Sequence, residues 1–210
     1  MDFFSAVALA WAGQTILGEP LGREMPPPFV TFPIQMSIAS GDPTEQGSDD
    51  GEAAERLRIQ MDSAESLFGP FGVRFDRTPK ERKLGARFVH VETRADRDAF
   101  AAELVPHVIN VFVVASLRDV DNPSEMRRGV HWHGPSGSHY VILVSSAPPA
   151  VLAHELGHFF GNPHSKVTDN IMSYDRTGGW VFFDGDQGRR IVSHAHAYLE
   201  TGELLPVLRR

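Results

Sequence analysis

The sequence predicts an α+β domain that combines a mixed β-sheet with several helices. Short apolar runs bounded by turn residues recur between positions 30 and 144, which is typical of strands. Longer segments carry apolar residues three and four positions apart, which indicates amphipathic helices. The chain has 210 residues, 41% of them hydrophobic, and is therefore long enough to bury a core without disulfides.

The charge and the cysteine content exclude several function classes. With 20 Lys and Arg against 27 Asp and Glu, the net charge of −7 argues against nucleic-acid binding, which needs clustered cations. The absence of cysteine excludes disulfides, cysteine-ligated metals and thiol catalysis. No apolar run approaches the roughly 18–20 residues of a membrane span, and nothing in the pattern indicates an oligomeric state. Ten histidines remain as candidate metal ligands.

The chain divides into residues 1–28, an N-terminal segment, and residues 29–210, the main domain. Phe3–Ala12 is apolar, and Ala8-Leu9-Ala10 resembles a cleavage site, but no basic residue precedes it as in a signal peptide. We therefore favour an N-terminal helix with a linker that ends at Pro26-Pro27-Pro28. A signal-like stretch and a pro-segment are the alternatives.

The main domain begins with a predicted strand at Val30–Ile38. A helix capped by Ser48 or Asp49 follows and ends at Phe68, before Gly69-Pro70. Its apolar face consists of Leu57, Met61, Ala64 and Phe68. Five further apolar runs are predicted strands: Val73–Phe75, Phe88–Val91, Val108–Ala115, Val130–His133 and Tyr140–Val144. The two remaining predicted helices are Ala150–Phe160, with Pro148-Pro149 in its first turn, and Asp186–Thr201, closed by Gly202.

The helix at 150–160 carries a metal-binding pattern. His154 and His158 are four residues apart, so both imidazoles project from one face and can reach one ion. Glu155 is turned about 100° from His154, which keeps its carboxylate out of the ligand set but near a metal-bound water. Gly161 allows a sharp exit from the helix, so that His164 can supply a third nitrogen. Three nitrogens and an open fourth position are typical of catalytic zinc.

The competing interpretation is an accidental His-Glu-x-x-His sequence on a solvated helix face. The glycine and the third histidine at fixed positions, a methionine that follows, and apolar flanks disfavour it. Those flanks are Val151, Leu152, Leu156, Phe159 and Phe160.

The segment from His154 to His164, followed by Asn170-Ile171-Met172-Ser173-Tyr174, resembles the metzincin zinc peptidases. The resemblance implies that the three histidines of this segment bind zinc, that Glu155 is general base and acid, and that Met172 belongs to a methionine turn beneath the metal. The eight-residue separation of His164 and Met172 is similar to that of matrixins. The tyrosine two residues after the methionine, Tyr174, resembles a feature of astacins and serralysins, and the turn at Gly69–Phe75 resembles the corresponding turn of pappalysins. The resemblance therefore names the clan and no single family.

Several properties follow from this resemblance as expectations. The implied fold is a twisted mixed sheet packed on two long helices, with an extended zinc helix, a Met-turn and a C-terminal helix. The implied activity is zinc-dependent endopeptidase action on a peptide or protein substrate, with secretion or another extracytoplasmic location and the cytoplasm as the alternative. A zinc-stabilised peptide-binding module without turnover is the alternative function. The intact Glu155 favours the enzyme, because a purely structural site needs no base.

The resemblance also implies that substrate lies along an edge strand, which by position is Gly129–Gly134. Its candidate substrate-binding residues are Gly129, His131, Trp132 and His133. His131 and His133 alternate with Trp132 and share a face. With His139 they offer a second metal site, although solvated edge histidines are the favoured interpretation.

Three further sets of residues each have a functional and a structural interpretation. Tyr174 is a candidate phenolic donor to the transition state or an ordinary packing residue. Trp180, Phe182 and Phe183 either shape the substrate pocket or pack in the core. One acidic loop offers oxygen ligands for an accessory Ca²⁺ ion, from Asp119, Asp121, Asn122 and Glu125. Because these residues lack the spacing of an EF-hand, a solvated acidic loop is the favoured interpretation.

Overall fold

The computed structural model describes residues 29–41, 50–135 and 137–207 of the chain. The predicted N-terminal segment, residues 1–28, lies outside the described residues, and so do Ser48 and Asp49, the predicted cap of the first long helix. Among the helices that are described, none combines the length and apolarity needed to cross a membrane.

The architecture is α+β with a mixed sheet, as predicted. The strands of the described ranges are β1 (Val30–Ala39), β2 (Val73–Arg77), β3 (Arg82–Leu84), β4 (His90–Val91), β5 (Ile109–Val114), β6 (Ser116–Leu117), β7 (Gly129–His133) and β8 (His139–Val144). The main sheet has the order β2-β1-β5-β8-β7, and β3 also pairs with β1. All pairs are parallel except β7–β8, so an antiparallel strand forms one edge. β4 and β6 form a separate parallel pair.

The described part of the chain also contains four α-helices: α1 (Asp50–Phe68), α2 (Arg94–Asp98), α3 (Val151–Phe159) and α4 (Gly185–Thr201). Short 3₁₀ turns lie at Gly69–Phe71, Ala86–Phe88 and Ala99–Glu103. The side chain of Asp184 caps α4 by accepting a hydrogen bond from the Gln187 N–H. Gly202 ends α4 in the left-handed conformation, with φ 71°.

The central sheet is buried on both faces. Along β5, Val111 and Val113 belong to the core that α1, α3 and α4 cover, whereas Phe112 and Val114 belong to a second core on the opposite face. The second core is completed by residues of β4, β6 and the 3₁₀ turns, among them Phe100 and Leu117. Burial on both faces explains why β5 is apolar at every position except Asn110 rather than alternating.

The predicted elements agree with the structure to within two residues at most ends, with two exceptions. Phe88–Val91 is not one strand, because Phe88 completes a 3₁₀ turn and only His90 and Val91 pair with β6. Pro148 and Pro149 lie in the connection before α3 and not in its first turn. The strands β3 and β6 and the short helix α2 were not predicted, because each has too few residues to show a hydrophobic period.

A glutamine from another helix caps the start of α3. The residue that precedes α3, Ala150, has φ 73° and no side chain that could cap. The buried Gln60 of α1 instead accepts the Leu152 N–H at 2.9 Å and donates to the carbonyls of Ala147 and Pro148 at 3.0 and 2.6 Å. These three bonds satisfy backbone groups that the buried helix start would otherwise leave unpaired.

The end of α3 is anchored by an aromatic cluster and turns at a glycine. The ring of Phe160 is fully buried and lies 5.6 to 6.2 Å from the rings of Phe32, Phe68, Phe75 and Tyr198. Gly161 follows with φ 79°, as the sequence predicts for the exit from this helix. A side chain there would also collide with the His194 ring of α4.

Phe160→Ala is expected to destabilise the fold by about 3–5 kcal/mol, because it leaves a cavity where four aromatic rings meet. The measurement is urea-induced unfolding followed by circular dichroism. Trp180→Ala is the control, since Trp180 is 95% exposed and its loss should change stability by no more than about 0.5 kcal/mol. Equal losses in the two variants would contradict the packing described for Phe160.

Gly161→Ala is expected to cost more stability than Gly202→Ala. Both glycines have positive φ, which costs an alanine roughly 1–2 kcal/mol, but only at Gly161 would the added methyl group meet a neighbouring side chain. The excess should disappear when His194→Ala is combined with Gly161→Ala. The test compares the unfolding free energies of the wild type, the three single variants Gly161→Ala, Gly202→Ala and His194→Ala, and the double variant Gly161→Ala/His194→Ala. Identical losses at the two glycines would show that His194 imposes no constraint.

Candidate metal centre and cleft

The fold brings the three predicted ligands together. The candidate ligand nitrogens of His154, His158 and His164 lie within 4.8 Å of one another, a grouping called the first triad below. The Nε2 atoms of His158 and His164 are 3.1 Å apart. The first two imidazoles project from α3, and the third enters from the loop that begins at Gly161.

Hydrogen bonds to backbone carbonyls fix which nitrogen of each helical histidine is free. His154 Nδ1 lies 2.7 Å from the Ile171 carbonyl, and His158 Nδ1 lies 2.8 Å from the Asn162 carbonyl. Because a carbonyl only accepts hydrogen bonds, each Nδ1 carries the hydrogen and each Nε2 has a free lone pair. This arrangement is the one that metal-binding histidines use.

Burial keeps these imidazoles in the neutral form that can bind a metal. Burial and the neighbouring His154 lower the pKa of His158 to about 4. The pKa of His154 is lowered by burial, and that of His164 by burial and by the nearby Arg127 cation. Three neutral nitrogen donors with two of their tautomers fixed fit a zinc ion.

The turn that contains Met172 lies under α3, against a glycine. Met172 is fully buried, and a methyl group on Gly157 would overlap its sulfur. The Asn170 amide holds the turn by accepting the Met172 N–H at 2.9 Å. The same amide exchanges two hydrogen bonds with the Gln187 side chain of α4, at 2.8 and 3.0 Å. The position of Met172 therefore depends on the close approach of α3, the turn and α4.

Glu155 lies between α3 and the edge strand β7. Its side chain is buried, and its Oε2 accepts the His131 N–H at 2.8 Å. Burial raises the pKa of Glu155 to about 7, against the opposing effects of that N–H and of the Arg127 and Arg97 cations. Gly129 permits this contact, because a Cβ there would lie 2.9 Å from the Glu155 Cγ.

The edge strand β7 borders a cleft of about 840 Å³ that contains the first triad and Glu155. The Arg128 carbonyl accepts the Val144 N–H of β8, and the Gly134 N–H donates to the Ser138 carbonyl just before β8. Because the backbone groups of successive residues in an antiparallel strand point to opposite sides, those of Gly129, His131 and His133 point away from β8. These outward groups are available to an extended chain, apart from the His131 N–H that Glu155 accepts.

Trp132 differs from the other candidate substrate-binding residues. It pairs with Tyr140 of β8, so its side chain lies on the opposite face of the sheet from His131 and His133. There its Nε1–H donates to Asp98 at 2.8 Å, and its ring lies 4.8 Å from the Arg97 guanidinium. The backbone of Trp132 therefore faces β8 rather than the free edge.

Tyr174, two residues after Met172, reaches the first triad. Its hydroxyl lies 2.9 Å from His164 Nε2, and its side chain is 69% exposed. Burial of its hydroxyl end raises its pKa, while the nearby Arg127 acts in the opposite direction. The phenol is therefore protonated near neutral pH and is placed to donate into the cleft.

The aromatic residues after the turn separate into different environments. Phe183 is buried and packs edge-on against Phe68 at 5.0 Å, as core packing predicts. Trp180 is almost fully exposed beside a different surface groove, which Leu67 and Pro149 also line. Phe182 is 42% exposed, and its carbonyl accepts the Ile171 N–H at 2.8 Å.

The acidic loop uses its oxygens internally. The Asp119 carboxylate accepts the N–H groups of Asp121 and Asn122 at 2.8 and 3.2 Å and pairs with Arg127. Asn122 donates to Glu125 at 2.8 Å. The backbone N–H donors hold the pKa of Asp119 below its usual range, with help from Arg127. A Ca²⁺ site in this loop stays a prediction.

The other three candidate histidines also converge. His131, His133 and His139 place their ligand nitrogens within 4.8 Å of one another, a grouping called the second triad below. Together with the first triad, they are the clusters of His, Asp or Glu in the described residues that are close enough to hold a metal.

Two residues that position this region are not predicted from the sequence. Gln60 was overlooked because a single glutamine among the apolar residues of α1 gives no indication of its partner, although its buried helical position was available as a signal. Arg127 belongs to none of the motifs described for the sequence. In the structure it lines the cleft and pairs with Asp119.

Among the solved structures that match this chain, three of moderate similarity illustrate the likeness. Metalloproteinase-II from Bacteroides fragilis matches with a TM-score of 0.52 and 15% identity, over 79% of this chain and 53% of that chain. Mirolysin in complex with compound 9 matches with a TM-score of 0.57 and 11% identity, over 86% of this chain and 100% of that chain. Mature mirolysin from Tannerella forsythia, in complex with a cleaved peptide, matches with a TM-score of 0.54 and 10% identity, over 84% of this chain and 99% of that chain.

These likenesses concern the fold. No protein-family model matches the chain, and no curated protein matches it. The chain spans about half of the Bacteroides protein, with 53% of that chain covered. At identities of 10 to 15%, the comparisons show that this α+β chain has the fold of known metalloproteinase structures.

Proposed function

We propose that the protein is a zinc-dependent endopeptidase of the metzincin clan. The observation that carries the proposal is the position of Glu155, a buried carboxylate next to the first triad and hydrogen-bonded to the edge strand. A structural three-histidine site has no need of a base at this point, whereas peptide hydrolysis requires one beside the attacking water. The position of Met172 beneath α3 supports the assignment to the clan, and the fold shared with metalloproteinase structures supports a peptidase.

The first triad would hold the metal, with His154, His158 and His164 as ligands. A bound zinc ion activates water for attack and polarises the peptide carbonyl. The Ile171 and Asn162 carbonyls keep two of the ligand nitrogens unprotonated and correctly directed. The glycine exit at Gly161 brings the third ligand back toward α3.

Glu155 would move the proton. It accepts a proton from the attacking water and delivers it to the amine that leaves, so that hydroxyl adds to the carbonyl carbon and hydrogen to the nitrogen. Its low exposure and raised pKa make the carboxylate a better base than a solvated glutamate. Tyr174 would donate its phenolic hydrogen toward the oxygen that becomes negative in the transition state.

Substrate would bind as an extended peptide along β7. The outward backbone groups of Gly129, His131 and His133, other than the His131 N–H that Glu155 accepts, can pair with a peptide as an added strand. Main-chain pairing holds the scissile bond near Glu155 and places few demands on side chains. The proposed substrate class is therefore a peptide or an unfolded protein segment.

Glu155→Gln is expected to lower kcat/KM for peptide cleavage by about 10²- to 10⁴-fold, because the amide cannot accept the proton from water. The measurement is cleavage of a proteome-derived peptide library by the zinc-loaded protein, read by mass spectrometry. His158→Ala should abolish cleavage together with zinc binding at the first triad, and a chelator should do the same to the wild-type protein.

Glu200→Gln is the matched control, since Glu200 is exposed on α4 and outside the cleft. It should leave the cleavage map unchanged. Identical maps for the wild type and Glu155→Gln would overturn the peptidase proposal. Peptide capture without cleavage by both proteins would support the binding-module alternative.

Tyr174→Phe is expected to lower kcat by up to about 10²-fold while KM and zinc content stay unchanged, because only a hydroxyl that contacts the transition state is lost. Single-turnover and steady-state kinetics on one cleaved peptide measure the effect. An unchanged kcat would instead assign Tyr174 to packing against His164.

A further inference from the structure

The second triad lies on the helix-facing side of the sheet, at its antiparallel edge. In the β7–β8 register His133 is opposite His139 and His131 is opposite Val141, which belongs to the core under the helices. Residues directly opposite one another share a face, and residues two apart on one strand do as well. The pairing of the strands therefore brings the three imidazoles together.

A carboxylate fixes the free nitrogen of His139. Its Nε2 lies 2.6 Å from Oε1 of Glu203, in the chain just after α4. An ionised carboxylate only accepts hydrogen bonds, so Nε2 carries the hydrogen and Nδ1 has a free lone pair. That Nδ1 lies 2.8 Å from Nε2 of His131. A carboxylate that holds one imidazole nitrogen while the other faces a ligand cluster is a recurring feature of metal sites.

Aromatic packing holds the imidazoles in place. The His139 ring stacks on Phe159 of α3 at 4.1 Å and 13°, and the His131 ring lies 5.6 Å from the same phenyl ring. Burial lowers the pKa of His131 far below its usual range and lowers that of His139 against the opposing effect of Glu203. Both imidazoles are therefore neutral near pH 7. His133 is exposed and leaves the triad open to solvent.

The two triads have the same construction. In each, two ligand nitrogens approach closely, at 3.1 Å in the first triad and 2.8 Å in the second. In each, a hydrogen-bond acceptor outside the triad holds the opposite nitrogen of a histidine, a backbone carbonyl in the first and the Glu203 carboxylate in the second. The second triad uses none of the ligands of the first.

We propose that His131, His133 and His139 form a second site for a transition-metal ion, with Zn²⁺ as the ion it takes, and that Glu203 is the positioning residue for His139. Three imidazoles favour zinc, copper or nickel over magnesium and calcium. The bound ion would join the β7–β8 hairpin to the end of α4 through the His139–Glu203 hydrogen bond. The site does not depend on peptidase activity.

The test uses the full chain without a histidine tag, stripped of metal by a chelator and titrated with Zn²⁺ and with Co²⁺. The reference is His158→Ala/His164→Ala, which disables the first triad, so the remaining binding reports the second. Calorimetry should give one Zn²⁺ per chain for this reference and two for the wild type. The Co²⁺ form should show the visible absorption of a nitrogen-ligated ion, and Zn²⁺ should raise the melting temperature of the reference.

Three changes in the reference locate the site. His133→Ala removes an exposed ligand with little effect on folding and should abolish stoichiometric binding. Glu203→Gln should weaken binding by about 10- to 100-fold, as expected when the hydrogen-bond partner of a metal ligand is altered. His196 is an exposed histidine of α4 outside both triads, so His196→Ala should leave Zn²⁺ binding unchanged.

The outcomes separate this inference from the proposed function. A reference protein that binds no Zn²⁺, or one whose binding survives His133→Ala, overturns the second site and leaves His131 and His139 as a hydrogen-bonded pair. A wild-type protein that binds a single zinc ion and cleaves peptides also overturns the second site. A protein that binds two zinc ions but cleaves no peptide keeps the second site and overturns the peptidase proposal.

Discussion

The structure depends on the burial of one short helix that carries polar side chains. α3 has nine residues, and His154 and Glu155 are buried with its apolar positions. A buried polar group is costly unless it is hydrogen-bonded, so each of these groups needs a fixed partner. Those partners come from separate parts of the chain: the Ile171 carbonyl holds His154, the edge strand holds Glu155, and Gln60 satisfies the start of the helix. The remaining elements are arranged so that these partners meet α3.

The sequence predicted what local pattern can encode and missed what only tertiary contact decides. The spacing of His154 and His158 follows from the helical period, and the left-handed exit follows from the identity of Gly161, so both were recoverable. The partners of Gln60 were not recoverable, because they lie 87 to 92 positions away in the chain and no periodicity relates them to it. The layer that covers the second face of the sheet was also missed, since strands of two or three residues are defined by pairing and not by their own sequence.

α3 also relates the two histidine triads. His158 projects into the first, and the next residue, Phe159, provides the ring on which His139 of the second is stacked. Adjacent helical residues point about 100° apart, so one turn of helix can serve two sites on different sides. His131 connects them again: its backbone N–H holds Glu155, while its imidazole belongs to the second triad. Displacement of β7 would therefore affect both sites together.

The absent side chain at Gly129 has a consequence for comparing this chain with its relatives. The distance between the edge strand and the helix beside it is limited by a single missing methyl group, and Val151 and Glu155 occupy that space. A relative with a larger residue at this position could retain all three histidines of the first triad and still hold its carboxylate elsewhere. Under the proposed function, residue 129 would therefore distinguish a cleft with its carboxylate beside β7 from one that has kept only the three histidines, a distinction that the histidine pattern alone does not make.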